Sequence, residues 1–185
     1  MMEPLLWGER IFKGYGFSRQ VLRGVEIEVR PGEVVVLLGE SGCGKSTLGR
    51  VLSGLEAPEA GTIGRAPGVG ERGVQMLFQD PFSALNPRRR IVESVGEALL
   101  SNQRGKEVAR LLEEVGIDPS RAREYPRSFS GGQLQRINLA RALSLNPEVL
   151  ILDEPVSSLD LSVQARILDL IETERRRRRL GVLFI

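Results

Sequence analysis

Residues 34–46 read Val-Val-Val-Leu-Leu-Gly-Glu-Ser-Gly-Cys-Gly-Lys-Ser, an apolar run followed by a glycine-rich loop. An unbroken apolar run is typical of a strand that is buried on both faces, so Val34–Leu38 is predicted to be a fully buried central strand. The loop Gly39–Ser46 fits the pattern G-x-x-x-x-G-K-[ST]. A helix is predicted from Ser46, so the loop joins a buried strand to a helix N-terminus.

This loop has the residue types that phosphate binding requires. Its glycines allow consecutive backbone N–H groups to approach phosphate oxygens, and the helix that follows adds its positive end. Lys45 would place an ammonium group on the β- and γ-phosphates, and Ser46 would give its hydroxyl to Mg²⁺. Cys43 occupies a variable position of the pattern and is assigned to packing rather than to redox chemistry.

A second apolar strand, Val149–Leu152, ends in two carboxylates. Asp153 at the end of this strand is suited to holding the metal through water, and Glu154 is suited to polarising an attacking water. The pattern is weak alone but strong beside the phosphate loop. The alternative is that Glu154 is only an acidic turn residue ahead of Pro155.

Ser130-Gly131-Gly132-Gln133 opens a further helical stretch. A serine followed by glycines at a helix start describes an anion-binding N-terminus. Because the chain already has one phosphate loop, this second site suggests a phosphate that another molecule holds. The alternative is an ordinary N-cap with a flexible first turn.

Strand and helix signals alternate along the rest of the chain, which favours an α/β fold. Val25–Val29 alternates strictly and predicts a half-buried antiparallel strand, whereas residues 91–146 are helical with a stop at Gly116. The stretch Ala57–Gly73 is rich in glycine and proline and is predicted to be a surface connection. Arg175–Arg179 is interpreted as a solvated helix end, with a nucleic-acid or lipid patch as the alternative.

Composition excludes several classes of chemistry. The 185 residues suit one domain, and they contain no histidine and one cysteine. Histidine-ligated zinc, serine–histidine triads and intrachain disulfides are therefore excluded. A formal net charge of +2 gives no strong field for nucleic acid. No signal peptide or membrane span is predicted.

Together these motifs resemble those of the ATP-binding subunits of ABC transporters. Four stand in the family's order: Gly39–Thr47, Gln79 in LFQDP, Phe129–Arg136 with FSGGQLQR, and Val149–Glu154. Residues 157–160, Ser-Ser-Leu-Asp, are similar to the family's D-loop. The SGGQ signature is highly specific to this family among P-loop proteins.

The resemblance implies an α/β P-loop NTPase fold of the ABC ATPase type. Its mixed central sheet would carry an N-terminal antiparallel β part and an inserted helical subdomain. The whole chain, 1–185, would be one ABC ATPase domain that is incomplete at its C-terminus. Residues 1–80 and 148–185 would form its core, and residues 81–147 the helical subdomain.

The resemblance also implies the site residues. The catalytic residues would be Glu154, Lys45 and Gln79, and the ligands of Mg²⁺ would be Ser46, Gln79 and Asp153. The residues that bind ATP would be Tyr15, Gly39, Glu40, Ser41, Gly42, Cys43, Gly44, Lys45, Ser46, Thr47, Ser130, Gly131, Gly132, Gln133 and Asp160.

Two of these assignments carry further expectations. Ser130 and Gly132 would contact the γ-phosphate of ATP bound to a second ABC ATPase subunit, identical or paralogous, so that two sites form at a dimer interface. Tyr15 matches the aromatic residue that stacks on adenine, and its alternative is a turn aromatic between Gly14 and Gly16.

A narrower likeness lies in Phe78–Arg88, whose Leu-Asn-Pro-Arg ending resembles the oligopeptide, dipeptide and nickel importer branch. An ATP-binding component of phosphonate breakdown systems is similar there too and remains an alternative. The importer interpretation implies a subunit docked on transmembrane permeases at the cytoplasmic face of the cell membrane, without a nucleic-acid partner.

The likeness stops at Leu183-Phe184-Ile185, after which the family continues with Thr-His-Asp. The switch histidine has no counterpart, so the chain is expected to be either a fragment or a natural short form. The alternative function is an ATP-dependent dimerising module with little hydrolysis.

Overall fold

The computed structural model describes residues 2–16, 19–82, 84–99, 102–155 and 161–185. The chain divides into two compact units, which we call the first and the second unit. The first unit comprises Met1–Met76, Glu148–Asp153 and Arg175–Ile185. The second unit comprises Leu77–Pro147 and Glu154–Glu174.

Strands and helices alternate, as the sequence predicts for an α/β chain. The strands are β1 (Leu6–Tyr15), β2 (Arg19–Val29), β3 (Val34–Val36), β4 (Ala60–Arg65), β5 (Val74–Leu77), β6 (Val149–Leu152) and β7 (Gly181–Phe184). The α-helices are α1 (Lys45–Ser53), α2 (Ile91–Val95), α3 (Arg104–Glu114), α4 (Gly131–Leu143) and α5 (Leu161–Arg178).

An antiparallel sheet of three strands, in the order β2-β1-β4, opens the chain. Its strand β4 lies in the stretch predicted to be a surface connection, so that prediction is wrong for residues 60–65. Glycine normally weakens a strand, so a glycine-containing stretch such as β4 is not predicted to be a strand from its sequence pattern. Here Gly64 pairs with Trp7, and a Cβ atom at Gly64 would lie 2.1 Å from the Trp7 ring. The glycine is therefore required by the close approach of the indole.

The second sheet has the order β3-β7-β6-β5, and β3, β7 and β6 are parallel. The prediction that Val34–Leu38 is a fully buried central strand is wrong, because β3 ends at Val36 and lies at the edge of this sheet. Val34 and Val36 are 46% and 53% exposed. Among the described strands, β3 pairs with β7 alone. An apolar run indicates that a segment has low polarity but does not indicate its place in the strand order.

The interior of the first unit surrounds β6, whose four residues are fully buried. Val51 and Leu52 of α1 belong to the same apolar cluster as Ile151 and Leu183. The carboxyl ends of parallel strands lie at one edge of a sheet. The loop after β3 and the residue after β6 therefore emerge on the same side of the first unit.

The second unit is helical. Its helix α3 ends at Glu114, and Gly116 adopts the left-handed conformation (φ 67°), as expected for the predicted stop. Arg136 of α4 donates hydrogen bonds to the carbonyl oxygens of Val115 (3.1 Å) and Gly116 (2.7 Å). This guanidinium satisfies carbonyls at the end of α3 and joins α3 to α4.

Arg121 holds the backbone that leads into α4. Its guanidinium donates two hydrogen bonds of 2.9 Å to the Glu124 carboxylate and one of 2.9 Å to the Ser128 carbonyl oxygen. It also stacks over the ring of the buried Phe129, 4.1 Å from the centroid. The residue that caps α4, Ser130, follows directly.

None of the helices in the described ranges combines the length and the low polarity that a membrane span requires.

We expect Ile151→Ala to lower the free energy of unfolding by about 2–5 kcal/mol, because the side chain is fully buried at the centre of β6 and its removal leaves a cavity. Leu55→Ala is the matched control, since Leu55 is 58% exposed and its loss should cost less than about 0.5 kcal/mol. Urea denaturation followed by circular dichroism measures both, and equal effects would contradict this description of the core.

We expect Arg121→Gln to raise the pKa of Glu124, because the hydrogen bond from Arg121 lowers that pKa below its ordinary value. A lowered carboxyl pKa stabilises the fold above the ordinary pKa, and this contribution disappears as the pH falls through the lowered value. Carboxyl carbon NMR during an acid titration measures the shift. Arg123→Gln removes the same charge from an exposed neighbour and should leave the Glu124 titration almost unchanged.

Candidate nucleotide site

The glycine-rich loop Gly39–Gly44 lies between β3 and α1 in the first unit. Gly42 (φ 80°) and Gly44 (φ 106°) adopt the left-handed conformation that side chains disfavour. A Cβ atom at Gly44 would also lie 2.7 Å from a methyl carbon of Val21. The first turn of α1 contains no acidic residue, so its backbone N–H groups and helix dipole present positive charge. This local structure is suited to binding phosphate.

Lys45 is the first residue of α1, and its ammonium group lies against this loop. It donates hydrogen bonds to the carbonyl oxygens of Gly39 (2.7 Å) and Glu40 (2.8 Å), and lies 3.8 Å from Cys43 Sγ. Backbone carbonyls are neutral acceptors, whereas phosphate oxygens are charged and form stronger hydrogen bonds with ammonium. The lysine is therefore positioned to exchange these carbonyls for a phosphate.

A hydrogen bond joins the phosphate loop to the strand that carries the first predicted carboxylate. The Ser46 hydroxyl donates to Asp153 Oδ1 over 2.9 Å, although 107 positions separate the two residues. Asp153 is 6% exposed and follows β6 directly. A hydroxyl and a carboxylate are oxygen ligands, which Mg²⁺ prefers, and this ion usually takes one or two protein ligands with water and phosphate. The pair fits a magnesium ion.

Tyr15, at the end of β1, also lies near the phosphate loop. Its hydroxyl donates a hydrogen bond of 2.6 Å to Glu56 Oε2 and lies 3.5 Å from Thr47 Oγ1. Thr47 is buried and Tyr15 is 44% exposed. The structure therefore brings Tyr15 and the phosphate-loop helix together within the first unit.

In the second unit, Gln79 Nε2 donates a hydrogen bond of 2.8 Å to Glu154 Oε2. Glu154 has φ 46°, a left-handed conformation that residues other than glycine rarely adopt. Non-glycine residues in this conformation concentrate at functional sites, where surrounding contacts maintain them. The structure thus brings together two predicted catalytic residues that 75 positions separate.

Ser130, Gly131, Gly132 and Gln133 form the N-terminus of α4. The Ser130 hydroxyl accepts a hydrogen bond from the backbone N–H of Gln133 (3.4 Å), and Gln133 Oε1 accepts one from the backbone N–H of Ser130 (3.0 Å). This reciprocal pair is a capping box. An anion-binding helix start and an ordinary N-cap both require a capped N-terminus, and the structure shows one at Ser130.

Asp160 and the rest of the predicted D-loop, residues 157–160, lie outside the described residues. So does Ser83 of the Phe78–Arg88 stretch. Glu40, Ser41 and Cys43 are exposed members of the phosphate loop.

Sequence reasoning missed three polar residues that contact either a predicted site residue or the backbone beside one. Glu56 contacts Tyr15. Gln135 and Asn138 of α4 donate hydrogen bonds to the carbonyl oxygens of Phe78 (3.5 Å) and Pro81 (3.0 Å), on either side of Gln79. The two α4 residues are nine-tenths or more buried, and a polar residue on the buried face of a helix is the signal that would have indicated them.

Comparison with known proteins places these motifs in a family. Residues 22–157, more than half of the chain, match the family described as ABC transporter. The chain is 41% identical to the di/tripeptide transport ATP-binding protein DppF of Pseudomonas aeruginosa, over 95% of this chain and 59% of that protein. It is 44% identical to the putative oligopeptide transport ATP-binding protein YkfD of Bacillus subtilis, over 88% of this chain and 55% of that protein.

The chain therefore spans little more than half the length of these curated relatives. Among solved structures, that of cbiO1 from Clostridium perfringens, part of the ABC transporter complex cbiONQ, superposes with a TM-score of 0.83. The match covers 98% of this chain and 78% of that one at 25% identity. Sequence family and fold agree, and they confirm the predicted fold class: the chain belongs to the ABC transporter family and has the α/β fold of its ATP-binding cassettes.

Proposed function

We propose that this chain is the ATP-binding and ATP-hydrolysing subunit of an ABC importer for peptides. The observation that carries the proposal is the hydrogen bond between Ser46 and Asp153. It joins the phosphate loop to the carboxylate at the end of β6, as a site for a magnesium–nucleotide complex requires. Family membership supports the same assignment.

Binding of the triphosphate would begin at the phosphate loop. The backbone N–H groups of Gly42–Gly44 and of the first turn of α1 would donate to phosphate oxygens, and Lys45 would transfer its hydrogen bonds from Gly39 and Glu40 to the β- and γ-phosphates. Ser46 and Asp153 would hold Mg²⁺. The ion supplies positive charge that neutralises the phosphate oxygens during transfer.

Hydrolysis needs a group that orients water and accepts its proton. The Glu154 carboxylate is assigned this role, and Gln79 maintains its orientation through the 2.8 Å hydrogen bond. The lysine and the loop N–H groups stabilise the charge that develops on the γ-phosphate.

A second subunit would complete each site. The N-terminus of α4, a helix of 13 residues, has a capped first turn without an acidic residue, which favours an anion there. Ser130, Gly131, Gly132 and Gln133 are assigned to the γ-phosphate of ATP bound by the other subunit. The partner is a second ABC ATPase chain, identical or paralogous, and Asp160 is assigned to the same interface.

Peptides are the proposed transported substrate because the curated relatives quoted above carry di/tripeptide or oligopeptide transport in their names. The Leu-Asn-Pro-Arg ending of Phe78–Arg88 supports the same branch. The subunit would dock on transmembrane permeases at the inner face of the cell membrane. Nickel transport is the alternative within this branch, and an ATP-binding component of a phosphonate breakdown system is the alternative outside it.

We expect Lys45→Ala to weaken ATP binding at least about tenfold, because it removes a charged donor to the phosphates. Glu154→Gln should leave binding intact and lower the hydrolysis rate by about a hundredfold, because the amide cannot accept the proton. Fluorescent ATP titration and steady-state phosphate release measure the two effects. Lys106→Ala, which removes an exposed lysine of α3, is the control.

Unchanged ATP affinity in Lys45→Ala would contradict the assignment of the site. ATP binding by the unsubstituted chain without phosphate release would instead favour the nucleotide-dependent dimerising module.

In the source organism, we expect Lys45→Ala to abolish uptake of a radiolabelled dipeptide and to leave nickel uptake unchanged, because nucleotide binding energises transport of the peptide alone. Uptake by cells that carry Lys106→Ala should equal that of the parent. Loss of nickel uptake with intact dipeptide uptake would assign the chain to the metal importers of the branch and reject peptide as substrate.

A further inference from the structure

We infer that Glu56 is a positioning residue for nucleotide recognition, which holds the Tyr15 ring where a nucleotide base stacks on it. The inference rests on the proposed function, since it presumes that the phosphate loop binds ATP. Its first support is the 2.6 Å hydrogen bond from the Tyr15 hydroxyl to Glu56 Oε2. A tyrosine whose polar end is bonded while 44% of the residue stays exposed can present its ring to a ligand.

The Glu56 carboxylate is itself held in place. Arg50 of α1 lies 3.6 Å from its Oε1 atom, and Lys13 of β1 lies 3.9 Å from Oε2. The backbone N–H of Glu56 donates to the Arg50 carbonyl oxygen (3.2 Å), and Lys13 donates to the carbonyl oxygen of Ala57 (2.8 Å). These contacts join the end of α1 to the end of β1, so the acceptor for Tyr15 has a defined position.

The same hydroxyl is close to the phosphate loop. Thr47 Oγ1 lies 3.5 Å from Tyr15 Oη, and Thr47 directly follows the proposed magnesium ligand Ser46. This contact fixes the position of the Tyr15 ring relative to α1, the helix proposed to bind the phosphates. A base attached to a triphosphate on this helix is tethered within reach of the ring, whereas a ligand without a base gains nothing from Tyr15.

Without Glu56, the Tyr15 ring would lose its 2.6 Å hydrogen bond. It would keep only the 3.5 Å contact with Thr47 Oγ1 and the Lys13 ammonium 5.7 Å from its centroid, so more of its ordering would have to occur when the base binds. Ordering a mobile side chain on binding weakens affinity about two- to tenfold. This cost applies only to ligands that use the ring. The signature of a positioning role is therefore a loss of affinity for ATP without a loss of affinity for inorganic tripolyphosphate, which offers the phosphates alone.

The experiment measures the Kd of ATP and of tripolyphosphate, both with Mg²⁺, by calorimetry on the full chain. Glu56→Leu should raise the Kd of ATP about three- to tenfold and that of tripolyphosphate less than about twofold. Glu56→Gln, which keeps an acceptor oxygen, should restore ATP binding. Tyr15→Phe should match Glu56→Leu, and the double variant should bind no worse than either. Glu59→Leu removes an exposed carboxylate from the same stretch and is the matched control.

Each contrary outcome has a distinct meaning. Equal losses for the two ligands in Glu56→Leu, tighter ATP binding, or failure of Glu56→Gln to restore affinity would overturn the inference. If the unsubstituted chain binds both ligands equally well, the base makes no favourable contact. That result would overturn the inference about Glu56 but would agree with the proposed phosphate site. If it binds neither ligand, the proposed function itself is rejected.

Discussion

The hydrogen bond from Ser46 to the buried Asp153 is the constraint on which the candidate site depends. A carboxylate removed from water needs a polar partner, and here the partner is the hydroxyl in the first turn of α1. The bond relates the end of β6 to the start of the helix that follows β3. Parallel pairing of β3, β7 and β6 brings both strand ends to one edge of the sheet, and the bond then sets their distance.

In the second unit, a hydrogen bond likewise joins two distant polar side chains, those of Gln79 and Glu154. The backbone of Glu154 is left-handed (φ 46°), a conformation that costs a non-glycine residue about 1–2 kcal/mol. Its carboxylate bonds to Gln79, whose neighbours Phe78 and Pro81 accept hydrogen bonds from buried amides of α4. The helix that carries the Ser130 motif therefore also supports the segment that carries Gln79. Hydrogen bonds from two buried amides therefore support the backbone on either side of Gln79.

Two strand predictions were wrong for the same physical reason. Val34–Leu38 is apolar throughout and is predicted to be a central strand, yet strand order places β3 (Val34–Val36) at an edge. Residues 60–65 are poor in strand-forming side chains and were predicted to be a connection, yet β1 pairs with them and Trp7 fills the space above Gly64. Strand pairing depends on distant segments, so a local pattern indicates that a segment is apolar or glycine-rich and does not indicate what lies beside it.

The sequence by itself determined the α/β class, the phosphate loop, the capped start of α4 and the acidic end of β6. Each of these is a local arrangement in which spacing of a few residues sets the backbone geometry. Tertiary structure alone decided the pairs Ser46–Asp153, Gln79–Glu154 and Tyr15–Glu56, whose members are 107, 75 and 41 positions apart. No local spacing encodes such contacts, because they arise only when the strands pair and the helices pack, and so the role of Glu56 became visible only in the folded chain.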